Sequence, residues 1–332
     1  MRFMPIKSFS KILCLLPDSE FAATILERAV GLAEDHQATL TVVGLIAPLP
    51  IDDLQEIGLS PEAVRSARLE AEAHRLEAVA APWQERVHLE VRALVGRTFP
   101  DLARLVIREG YDLLVKVPEP TTGLLARLKG SEDMHLLRKC PCAIWLLDPP
   151  APAGYRCILA AVDVDELGSA PELAVRGELN LRIATTAATL AIAQLAELHL
   201  VNAWTKAVGE AVMRSAMVDV SEAQIRAYAQ AKRARHQEAM NRLLKALEDQ
   251  LGREAMTYVQ PKIHLLEGDA RQVVPTLAAQ MAPDLTVLGT LARTGVRGLF
   301  IGNTAESLLH QLDGSILALK PQGFVSPLDA DG

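Results

Sequence analysis

Apolar positions along this chain fall into short runs separated by longer stretches with helical spacing. Ile12 to Leu16, Leu40 to Val43, Tyr111 to Val115 and Ala143 to Leu147 are such runs in the first half. Cys157 to Val162, Leu198 to Trp204, Pro261 to Leu266, Leu285 to Gly289 and Ser315 to Lys320 are their counterparts in the second. Runs this short, rich in aliphatic residues and bounded by Gly, Pro or Asp, predict buried strands. Between them, Leu181 to Ala196 is thick with alanine and aliphatic residues and predicts a helix. Ser221 to Leu251 predicts a longer one, opened by Ser221-x-x-Gln224, the spacing of a capping box. Ile225, Met240, Leu243, Leu244 and Leu247 form its apolar stripe. Strands alternating with helices predict an α/β fold, in which a parallel sheet is wrapped by helices and ligands sit beyond the carboxyl ends of the strands.

The chain also repeats itself. Val95-Gly96 followed by Tyr111-Asp112-Leu113-Leu114-Val115 lines up with Glu267-Gly268 followed by Pro283-Asp284-Leu285-Thr286-Val287. The same shift, from 96 to 268, carries Thr122-Gly123 onto Thr294-Gly295, Gly130 onto Gly302 and Ile144 onto Ile316 without a gap. Ile12-Leu13 matches Ile158-Leu159 at a smaller offset, so the second copy carries extra residues near 166–180 and after its second strand. Two modules follow, 8–148 and 155–322, each with five parallel strands flanked by helices. Between them Asp148-Pro149-Pro150-Ala151-Pro152-Ala153-Gly154 cannot continue a helix or a strand.

Composition narrows the classes. Half of the 332 residues are hydrophobic, yet no apolar stretch approaches the roughly 18 continuous residues of a membrane span. Ile12 to Leu16 is too short for the apolar core of an export signal. Cys14, Cys140, Cys142 and Cys157 form neither a disulfide framework nor a zinc-type CxxC pair, as expected of a cytoplasmic protein. A net charge of -7 with both signs interspersed argues against a nucleic-acid partner, which requires a clustered basic face.

The stretch from Gly289 to Glu306 follows a strand and opens a helix. Glycine in such a turn lets backbone amides approach a phosphate, and the next helix adds unpaired donors and the positive end of its dipole. Asn303 or Thr304 is placed to cap that helix, and Asn303-x-x-Glu306 has the pattern of a helix start. A glycine-rich turn with a capped helix and no ligand fits the same residues.

Gly289-x-x-Ala292 followed, nine residues on, by Gly302-Asn303 resembles the nucleotide-binding motif of the universal stress protein family, in which Gly, two residues, Gly, nine residues and Gly precede Ser or Thr. Ala292 stands for the middle glycine and Asn303 for the hydroxyl residue. The resemblance covers nearly the whole chain, twice. It implies tandem universal-stress modules related to the adenine nucleotide alpha hydrolase-like folds, a stress-response binding or regulatory role, and an ATP-type adenine nucleotide held by Asp163, Gly289, Ala292, Arg293, Gly302, Asn303 and Thr304. The resemblance also implies that the last strand of each module is an exposed edge, and because unpaired edges invite pairing, 143–147 and 315–320 are expected to lie side by side. A further homodimer is compatible with this arrangement. Module one has lost more of the motif. Pro17 stands where Asp163 does, Val117 replaces Gly289, Pro120 replaces Ala292, and only Gly130-Ser131 survives, so no nucleotide is expected there. Related ATP-cleaving enzymes carry Ser-Gly-Gly after the first strand, where this chain has Val164-Asp165-Glu166-Leu167. A slow ATP hydrolase is therefore the third reading, behind a binding protein and a sensor of some other ligand.

That second reading rests on two features. His199 and His264 lie on strands that the family topology makes neighbours, and with Asp163 they would form a metal site suited to zinc. Two packed histidines satisfied by backbone or water fit the same residues, and the lack of a third ligand nearby in sequence favours them. Met213, Met217, Val208, Val212 and Val218, in the extra segment of module two, read either as a core extension or as a lid over an apolar ligand. His236, on the long helix, is expected to face solvent. Cys140 and Cys142 read as buried turn cysteines.

Overall fold

A computed structural model describes residues 9–56, 58–119, 132–148, 154–205, 221–290 and 301–328. Module one runs β1 (Lys11–Leu15), α1 (Ala22–His36), β2 (Thr39–Ile46), α2 (Ile51–Glu56), α3 (Pro61–Ala80), β3 (Leu89–Val95), α4 (Asp101–Glu109), β4 (Leu113–Lys116), α5 (Glu132–Lys139) and β5 (Ala143–Leu146). Module two runs β6 (Cys157–Ala161), α6 (Ala170–Gln194), β7 (Glu197–Trp204), α7 (Glu222–Leu251), α8 (Arg253–Val259), β8 (Lys262–Glu267), α9 (Ala270–Met281), β9 (Leu285–Gly289), α10 (Asn303–Gln311) and β10 (Ser315–Leu319).

The strands form one sheet of ten in the order β3-β2-β1-β4-β5-β10-β9-β6-β7-β8. Each half is parallel, and the halves join antiparallel through Ile144, Trp145 and Leu146 of β5 against Ala318, Leu317 and Ile316 of β10. The expected edge pairing is present, and each module protects the edge its partner would leave open. Alternate residues feed two cores, one on each face of the sheet. Ile12, Leu40, Ile158, Leu198 and Val287 belong to one, and Leu13, Val43, Leu159, Val201 and Leu288 to the other.

The repeated aspartate has a structural task in both halves. Asp112 accepts backbone N–H bonds from Ser10 and Lys11 at 2.7 and 3.1 Å, and Asp284 accepts them from Arg156 and Cys157 at 2.7 and 3.0 Å. The residue entering the inner strand thus clamps the start of its neighbour in each module. Ser221 caps α7 through the anticipated box with Gln224. The residues near 166–180 do not form a separate insertion before the helix. They lengthen α6 by nearly three turns relative to α1, opened by a capping box between Ser169 and Glu172 with proline in its first turn.

Candidate functional site

Beyond the carboxyl ends of β6, β7 and β9 lies a cavity of about 810 Å³. Asp163, Gly289, Gly302, Asn303 and Thr304 line it, so these five sequence candidates converge on one place. Ala292 and Arg293 lie outside the described residues, as do Pro120, Gly130 and Ser131 of module one and the segment containing Val208, Val212, Met213, Met217 and Val218.

The cavity floor is organised by asparagines that sequence reasoning passed over. Asn180 of α6 brackets Asp163, accepting its N–H at 2.9 Å and donating to its carbonyl at 2.7 Å. Asn202 of β7 donates to the Val162 carbonyl at 3.1 Å and accepts from His236 Nδ1 at 3.0 Å. His236 is therefore buried rather than solvent-facing, because Asn202 satisfies its ring from a strand far away in sequence. Burial holds His236 below the ordinary histidine range, which keeps the ring neutral and Nδ1–H a donor.

Arg176 was also missed, and it comes from the added turns of α6. Its side chain is buried, donates to the carbonyls of Asp165 and Leu167, and places Nε 3.7 Å from Asp163 Oδ2. Asp163 also accepts the Asp165 N–H at 3.2 Å. The carboxylate expected to meet a nucleoside thus carries an internal counter-ion while keeping 39 % of its side chain exposed.

Two helices point their N-termini at the cavity, and they differ. Asp269 caps α9 by accepting the Arg271 N–H at 2.9 Å. The cap of α10 is Gly302, with no side-chain hydrogen bond. Neither Asn303 nor Thr304 caps the helix as expected, because both are already inside its first turn. The anticipated Asn303–Glu306 box is absent too, since Glu306 reaches across the seam to Arg138 at 2.6 Å. Among the described residues no side chain caps the first amides of α10. Two further donors line the same space, for Trp204 Nε1 and Arg176 Nε are buried with no hydrogen-bond acceptor among the described residues, Arg176 Nε facing Asp163 only across the 3.7 Å ion pair. Gly289 is small for another reason. A Cβ there would stand 2.7 Å from Leu179 Cδ2 and 3.1 Å from Ile183 Cδ1, so helix packing excludes it.

Among the described residues module one differs at two of the equivalent positions. The repeat sets Lys116 opposite Leu288 and Asp133 opposite Ala305. Lys116 and Asp133, only 3 % and 0 % exposed along their side chains, form a buried ion pair. Asp133 also accepts the Glu119 N–H at 2.8 Å. Where module two has the apolar wall residues Leu288 and Ala305, module one has a buried ion pair.

The two histidines meet, with His199 Nδ1 2.9 Å from His264 Nε2 and the rings stacked at 5.2 Å. Glu197 stands 3.4 Å from the opposite nitrogen of His199. Burial lowers both histidines from their ordinary range. Asp163 does not join them. His199 pairs in register with Leu159, four residues earlier on that chain, which separates the two by roughly 13 Å along the strand direction. Among the described residues no group of three or more His, Cys, Asp or Glu side chains is arranged to hold a metal ion. No helix among them is long and apolar enough to cross a membrane.

Comparison with known proteins agrees with this architecture. Universal stress protein E of Escherichia coli K12 is 31 % identical over 71 % of this chain and 69 % of its own length. Universal stress protein E of Photorhabdus laumondii is 27 % identical over 97 % and 98 %. A solved structure of a Pseudomonas aeruginosa protein of unknown function superposes with a TM-score of 0.62 at 22 % identity, covering 96 % of this chain and 95 % of that one. The profile of the universal stress protein family matches twice, at residues 8–148 and 155–320, and the chain belongs to that family.

Proposed function

We propose that the chain is a cytoplasmic stress-response binding protein in which module two holds an adenine nucleotide of the ATP type. The observation that carries this reading is the cavity itself, where the N-terminus of α10, the buried indole N–H of Trp204 and the half-exposed Asp163 carboxylate with its Arg176 counter-ion face a common space. The amides of α10 suit phosphate oxygens, since partial positive charge collects at a helix N-terminus. Asp163 suits the hydroxyls or amino group of a nucleoside, because an ionised carboxylate only accepts hydrogen bonds. The volume falls within the range of about 300–1,000 Å³ usual for small-molecule sites.

Binding rather than turnover follows from what faces the cavity. Its carboxylates are engaged: Asp163 and Asp165 accept backbone N–H groups, and Asp269 caps α9 and pairs with Arg271. His236 is tied to Asn202. No described side chain there is arranged as a nucleophile with an adjacent base. Module one, with the Lys116–Asp133 pair at the equivalent positions, serves as the partner that completes the sheet. Titration calorimetry of the full chain with ATP tests the reading. Saturable heat that Gly302→Val weakens by crowding the α10 amides supports it, and absence of heat at millimolar ATP removes it.

A further inference from the structure

The seam between the modules encloses a pair of thiols that the nucleotide reading does not use. Cys140 ends the turn after α5, Cys142 precedes β5, and their sulfurs lie 3.4 Å apart. Pro141 between them folds the chain so that both side chains meet. Both are buried, and Cys142 also lines a small opening of about 290 Å³ shared with Tyr111, Asp112 and Arg182.

Two cations reach this pair, and both belong to module two. Lys320, directly after β10, is buried, donates to the Leu137 carbonyl and stacks over Phe324 at 4.5 Å. Burial pushes its ammonium down to about 8, with the two thiols pulling in the opposite direction. Arg182 of α6 donates to the Lys320 carbonyl at 3.0 Å and lines the opening beside Cys142. A hydrogen bond from Cys142 holds Cys140 below the ordinary thiol range, and Lys320 adds to the effect, while burial pushes Cys142 up. The remaining thiols have no such setting. Burial alone raises Cys14 to about 12, and Cys157 is raised by burial and by the carboxylates of Asp284 and Glu197.

We propose that Cys140 and Cys142 form a peroxide-reactive dithiol that closes to a disulfide within module one, at the seam. In the first step the Cys140 thiolate attacks one oxygen of hydrogen peroxide, the O–O bond breaks, and the departing hydroxide takes a proton to leave as water. Cys140 is then a sulfenic acid. In the second, the Cys142 sulfur attacks the Cys140 sulfur, the S–O bond breaks, and the hydroxide leaves as water with the Cys142 proton. Two thiols and one peroxide become one disulfide and two waters, with the sulfurs oxidised and the peroxide oxygens reduced. The contact between the two sulfurs, the Lys320 ammonium beside them and the opening that reaches the buried pair through Cys142 are what would let a small oxidant react here.

Dilute hydrogen peroxide added to the full native chain, followed by alkylation and peptide mass mapping, tests the assignment. The peptide containing both cysteines should lose two hydrogens and resist alkylation before Cys157 reacts. Its rate should exceed that of the same chain unfolded in urea by at least about tenfold, because the fold supplies the cations and the contact. Cys142→Ser should stop at a Cys140 sulfenic acid that a dione reagent captures, and Cys140→Ser should give neither product. Circular dichroism establishes that both variants are folded. Prior oxidation of Cys157, equal rates in folded and unfolded chains, or unreactive native thiols would overturn the proposal.

Discussion

Removing one member of the Lys116–Asp133 pair should be far more damaging than removing both. Both side chains are withdrawn from water, with Asp133 held by the Lys116 ammonium and the Glu119 amide. Lys116→Leu alone leaves a buried carboxylate with one neutral donor, and Asp133→Ala alone leaves a buried ammonium beneath the sheet end. Breaking a buried pair from one side costs about 3–5 kcal/mol, whereas exchanging both ions for apolar residues is often neutral or better. The double variant Lys116→Leu/Asp133→Ala installs the residues module two has at Leu288 and Ala305. Its expected cost is about 1 kcal/mol, from the Glu119 amide that loses its acceptor. Urea unfolding followed by tryptophan fluorescence and circular dichroism reads all three, with Trp145 of module one and Trp204 of module two as reporters. Singles within about 1 kcal/mol of the parent, or a double as damaging as the singles combined, would refute the buried ion pair.

Other consequences are open to direct measurement. His199, His236 and His264 are all held by burial below the ordinary value of 6.5, so the unfolded chain binds more protons than the folded one in mild acid. Their contribution to stability is fully present above that value and is lost as pH falls from it toward the folded-state values; urea midpoints should decline over that interval, and less steeply in His236→Gln. Gly289→Ala should cost about 1–3 kcal/mol through overpacking, with Leu179→Ala in the same chain recovering part of it. Failure of Leu179→Ala to compensate would return Gly289 to a role at the ligand.

The α/β alternation and the tandem division were legible because strand burial and the repeat spacing act locally on the chain, and the edge pairing followed from the exposed last strand that the family resemblance implies. Ser221 announced α7 locally too. The start of α6 was equally written in Ser169-Ala170-Pro171-Glu172, but alignment against the shorter first module cast those residues as an insertion. His236 was misjudged because its neighbours on α7 are polar and its partner, Asn202, is supplied by the sheet. The cap of α10 depends on backbone angles at Gly302, which put Asn303 one position and Thr304 two positions past the cap. Lys116 and Asp133 carried a readable signal, two charges at positions where the other copy is apolar, though their contact emerges only when β4 and α5 are packed. Asp163 failed as a third metal ligand because strand register, not strand adjacency, sets distance along a sheet.

Equilibrium dialysis of the full chain against labelled ATP, with and without Leu288→Lys/Ala305→Asp, is the most direct test of where the nucleotide sits. The double substitution transfers the module-one ion pair into the module-two cavity. The account predicts saturable binding of a single nucleotide per chain, abolished by the transferred pair while Lys116→Leu/Asp133→Ala leaves it unchanged. Two nucleotides per chain, or binding that survives the transferred pair, would contradict it.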